Sequence, residues 1–71
     1  MSASEMEITI FCIESIAEKL KITGSEVYEM LKKTDLIENY IIPGFEALHT
    51  QSRQYIVNDI ISVMKEKGLA V

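Results

Sequence analysis

The chain has 71 residues, 48% of them hydrophobic, a formal net charge of −4 and one cysteine, Cys12. One cysteine excludes a disulfide framework, and a lone thiol with a lone imidazole, His49, argues against a zinc site. The acidic balance supplies no cationic footprint for a phosphate backbone or an anionic membrane. A chain this short buries a modest share of its surface, so it needs regular helix packing, self-association or a protein partner. No apolar run approaches the ~20 residues of a membrane span. Residues Met1 to Glu7 lack the basic start of a signal peptide, and a cytoplasmic address is the expectation.

The first helix is predicted from about Glu5 to Lys21. Ser4 and Glu7 have capping-box spacing at its start. At 100° per residue, Met6, Ile10, Ile13, Ala17 and Leu20 form one stripe, with Thr9 and Ile16 beside it. Glu7, Glu14, Glu18 and Lys21 fall roughly opposite. Cys12 sits at the margin of the stripe and reads as a small buried hydrophobe. Ile8 and Phe11 project from the polar side, and Ser15 continues their line without charge. These residues are either a contact face for a partner chain or homodimer, or a second inner face covered by residues 41–45.

A second helix is predicted from the Thr23 and Glu26 capping box to Lys32 and Lys33, with Ile22 and Val27 placed as a hydrophobic staple. The short turn gives residues 16–36 the outline of a helix-turn-helix. In a DNA reader the second helix would show cationic or amide side chains to the bases. Here it opens with Glu26, Tyr28 and Glu29, so a plain helical corner is the favoured reading. Thr34 is a candidate cap for a short third helix using Leu36, Ile37, Tyr40 and Ile41, ended by Pro43 and Gly44. Residues 41–43 are also compatible with an extended stretch. The last helix is predicted from a Ser52 cap through the stripe Ile56, Val57, Ile60, Ile61, Val63 and Met64 to a Gly68 terminator, where Leu69 can fold back on Met64.

No catalytic set is visible. His49 has no nucleophile or orienting carboxylate fixed near it by a motif, and it reads as a loop or cap residue rather than a general base. From Leu48-His49 through Tyr55-Ile56-Val57 and Asp59-Ile60 to Gly68, and in the N-terminal pattern Phe11, Ile16, Ala17, Leu20, the chain resembles a family of short bacterial proteins known only as a domain of unknown function. The resemblance implies an all-helical fold. Some members are encoded near toxin-like, ADP-ribosyltransferase-like genes, which implies a binding partner. The family supplies no active site, and His49 is its most distinctive polar feature.

The expectation is an all-α fold, a compact orthogonal or bundle-like array of three to five short helices in a single domain over residues 1–71. Its expected role is that of a non-enzymatic protein-interaction module, an accessory or antitoxin-like partner, with another protein or a second copy as its ligand. It needs no metal and no cofactor in this reading. The alternative is a helix-turn-helix nucleic-acid binder.

Overall fold

The computed structural model describes residues 2–48 and 50–71. Four α-helices and one π-helical turn follow in order: α1 (Ala3–Leu20), α2 (Gly24–Lys33), the π turn (Ile37–Ile41), α3 (Phe45–Leu48) and α4 (Arg53–Glu66). There is no strand among the described residues, so the chain is all-α. Helix α1 is the hub, packing on α2, on α4 and on the π turn. The radius of gyration is 10.9 Å, against about 11 Å for a compact chain of this length.

Helix α1 starts earlier than the Ser4–Glu7 spacing predicts. Ser2 is the cap: its hydroxyl accepts from the Glu5 N–H at 3.2 Å, while the Glu5 carboxylate accepts from the Ser2 N–H at 2.8 Å. Both spacings occur in the sequence, and the earlier box wins because each residue added to a formed helix gains a backbone bond. The Ser2 N–H, and secondarily its hydroxyl, hold the Glu5 carboxyl below its ordinary range against the opposing effect of burial. The helix ends at Lys21, which takes a left-handed conformation (φ 59°), and the Ile22 N–H reaches back to the Ala17 carbonyl at 3.1 Å.

The corner into α2 forms with Thr23 as the cap, though the Glu26 carboxylate takes the Thr23 hydroxyl rather than its backbone N–H, so the expected box is half made. Thr23 accepts from the Glu26 N–H at 3.1 Å and donates to the Glu26 carboxylate at 3.3 Å. Ile22, half-buried, and Val27, buried, flank the cap at staple positions. Thr34, in contrast, ends α2 instead of opening a third helix. Its hydroxyl donates back to the Met30 carbonyl at 2.8 Å, and Asp35 then takes φ 58°. Asp tolerates this region better than most residues.

Residues 36–41 contribute the apolar side chains the sequence suggested, Leu36, Ile37 and Ile41, on a wider helical turn. The Ile42 N–H reaches the Ile37 carbonyl, five residues back, at 3.0 Å. Ile41 and Ile42 are thus helical, not extended. Gly44 lets the chain turn close to the π turn: a Cβ there would lie 2.9 Å from the Tyr40 carbonyl oxygen.

Helix α4 is capped by Ser52, whose hydroxyl accepts from the Tyr55 N–H at 3.2 Å. It buries Ile56, Val57, Ile60, Ile61 and Met64. Gly68 adopts φ 90°. The Leu69 N–H then bonds the Met64 carbonyl and the Gly68 N–H bonds the Lys65 carbonyl, closing the helix in a Schellman motif. Leu69 packs against the core.

The buried side of α1 differs from the predicted stripe. Ile8, Thr9, Cys12, Ser15 and Ile16 face inward. Met6 and Ile10, placed on the stripe by periodicity, are 51% and 47% exposed. Ile13, Ala17 and Leu20, on the same predicted stripe, do pack against the core, so the stripe holds in the C-terminal half of α1 and fails at its start. The two inward-facing hydroxyls are satisfied. Thr9 donates to the Glu5 carbonyl at 2.8 Å and Ser15 accepts from Arg53 at 3.1 Å, so neither hydroxyl is stranded inside.

Candidate interaction surface

The outward face of α1 has a distinctive make-up. Glu7, Glu14 and Glu18 run along its middle. Met6 and Ile10 stand on one flank and Phe11, 39% exposed, on the other. Beside Phe11 an open groove of about 550 Å³ runs toward α4, lined by Ile10, Phe11, Glu14, Ser15, Glu18 and Arg53 together with Glu7.

Arg53 closes one end of the groove. It is the first residue of α4, placed there by the Ser52 cap. Its Nε donates to Ser15 Oγ at 3.1 Å and one terminal nitrogen donates to Glu18 Oε2 at 2.7 Å. The ion pair is largely exposed, which limits its contribution to about 1 kcal/mol or less. Its structural effect is geometric: the fork joins the start of α4 to the C-terminal part of α1, at Ser15 and Glu18. The groove's lining then holds three carboxylates and one guanidinium, and that guanidinium already serves Glu18. The potential outside Glu7 and Glu14 is negative.

The sequence-predicted contact residues part company here. Ile8 lies in the core at 7% exposure and Ser15 is 3% exposed, while Phe11 faces out. Helix α1 packs against the π turn and α4, and Ile8 is buried while Phe11 is not, so the expected cover over both by residues 41–45 is not what forms. Met6, Ile10 and Arg53 are the surface residues that periodicity missed. Nothing local marks them, because Arg53 meets Ser15 across 38 positions of chain. His49 lies outside the described residues.

Elsewhere, Cys12 is fully buried and burial pushes its thiol up to about 11, which suits an inert core residue. Tyr40, on the π turn, donates its hydroxyl to Asp59 Oδ2 on α4. That bond, with smaller effects from burial and from the Asp59 charge, pushes the phenol up to about 12. No group of three or more metal-ligating side chains occurs among the described residues. No described helix is long and apolar enough to cross a membrane.

Among curated proteins and among solved structures, none matches the chain. A family model does match, over residues 7–67, a span that runs from the outward face of α1 to the end of α4. The chain therefore belongs to the family described as "Protein of unknown function (DUF3791)".

Proposed function

We propose that this protein is a non-enzymatic interaction module that docks a basic, amphipathic segment of another protein on the outward face of α1. One observation carries the reading: three large apolar side chains, Met6, Ile10 and Phe11, stand exposed within six positions of one helix and flank a line of glutamates. Apolar side chains clustered at a charged rim are the usual make-up of a docking surface. Charge selects the occupant. Two copies apposed through this face would set six carboxylates against two guanidiniums, whereas lysines or arginines beside an apolar stripe complement it.

Two potential nucleophiles of α1 are poorly placed for attack. Cys12 is enclosed with a raised pKa, and Ser15 is buried with its oxygen accepting from Arg53. In its narrower form the partner is a basic protein whose activity the module restrains, as an antitoxin would, in a bacterial cytoplasm. The helix-turn-helix alternative has to accommodate exposed Glu26 and Glu29 at the start of α2.

The test is an NMR titration of the intact chain with a short amphipathic peptide of leucine and lysine, beside a peptide with glutamate in place of lysine. Saturable shifts confined to the outward face of α1, seen with the basic peptide alone, are the expected result. Shifts that scatter over the molecule, or equal binding of the acidic peptide, would refute the reading. A duplex DNA that shifts α2 at low salt would favour the alternative in its place.

A further inference from the structure

The π turn and α4 enclose a second feature, distinct from the α1 face. An open groove of about 420 Å³ is lined by Tyr40, Pro43, Ala47, Leu48, Tyr55 and Asp59, with Gly44 and Gln51 at its edges. Tyr55 and Asp59 are four residues apart on α4, so they stand on one face of it. Tyr40 crosses from the π turn and donates to one oxygen of Asp59. A carboxylate has about four acceptor sites, and this is the one bond made to Asp59 by the described residues.

Among the described residues, no cationic side chain lines this groove, and its lining contains a carboxylate. Asp59 takes part in no ion pair among the described residues. Glu66, two turns further along α4, adds its negative charge at Tyr40. Pro43, Ala47 and Leu48 supply an apolar wall. Tyrosine rings present electron-rich faces to which a cation is drawn, and a hydrocarbon stem lies well on an apolar wall.

We infer that this groove is a receptor for one lysine side chain of a polypeptide, with the ammonium at Asp59 and Tyr55 and the alkyl stem along Pro43, Ala47 and Leu48. Tyr40 donates its hydroxyl to Asp59 and so ties the π turn to α4. The site stands apart from the α1 face, so either can fail alone.

The probe is Nα-acetyl-lysine methylamide, titrated into the intact chain and followed by NMR, with the neutral Nα-acetyl-norleucine methylamide as control. The expected result is saturation on the order of 1 mM, with shifts at Tyr40, Tyr55 and Asp59 and none from norleucine. Asp59→Asn keeps an oxygen for the Tyr40 hydroxyl and removes the charge, so it should weaken lysine binding about tenfold or more while the spectrum elsewhere stays native. Tyr40→Phe should retain binding, since the carboxylate keeps its charge and gains a free acceptor site. Equal response to norleucine, unchanged affinity in Asp59→Asn, or shifts outside the groove would overturn the assignment.

Discussion

The two sides of α1 are alike in composition and opposite in fate. The inner side carries Ile8, Cys12 and Ile16 among two hydroxyl residues, Thr9 and Ser15. The outer side carries Met6, Ile10 and Phe11 among glutamates. Periodicity places Met6 and Ile10 on the core side and Ile8 on the polar side, and the structure reverses both. What decides is the supply of facing surface: α2, α4 and the π turn close on the side where the polar atoms have partners. Apolar side chains left outside that closure are free to meet another molecule. The difference between these sides carries the functional reading, and it can be broken or sharpened by substitution.

The largest expected effect is on the inner side. Ile16 is fully buried, and Ile16→Ala should cost about 2–5 kcal/mol by transfer and cavity terms, read as a lower urea midpoint with an unchanged slope. A loss below 1 kcal/mol would mean that the two sides are not distinguished as described. Lys21→Gly comes next. A lysine in the left-handed region is strained relative to glycine, so this variant should gain about 0.5–1 kcal/mol, seen as a raised Tm. Destabilisation would show that Lys21 is not left-handed where α1 hands over to α2.

Alkaline titration sharpens the contrast at the π turn, the third element packed on α1. The folded Tyr40 phenol is raised to about 12, above the unfolded value of about 10. Its bond therefore stabilises the fold fully below pH 10, and that stability is lost as pH rises through about 12. Tyrosinate absorbance should show a late component that is absent in Tyr40→Phe and shifted lower in Asp59→Asn. A titration identical in all three would exclude the Tyr40–Asp59 bond. The smallest effect on stability belongs to the outer side: Ile10→Ser with Phe11→Ser should change it by about 0.5 kcal/mol or less, because neither side chain is in the core.

What was legible in the sequence was local. Thr23 with Glu26, Ser52 before α4, and Gly68 with Leu69 are signals within a few residues, and each caps or closes its helix where expected. The apolar run of α4 is one broad stripe, with a single way to face inward. Helix α1 is apolar round much of its circumference, so its orientation depends on residues distant in sequence. The π turn was illegible for a related reason. Leu36, Ile37 and Ile41 suit an α-helix as well, and the partner of Tyr40, Asp59, lies 19 positions away in the chain. The candidate surface was half-legible: of the three expected face residues Phe11 is exposed, while Ile8 and Ser15 are buried and the exposed apolar neighbours are Met6 and Ile10.

The most direct test pairs binding with stability in one protein, the Ile10→Ser, Phe11→Ser double variant. Its urea unfolding curve should overlay that of the parent while its affinity for the leucine–lysine peptide falls about tenfold or more. A variant that unfolds early would assign these side chains to the core, and one that binds the peptide as the parent does would leave the outward face of α1 without a role.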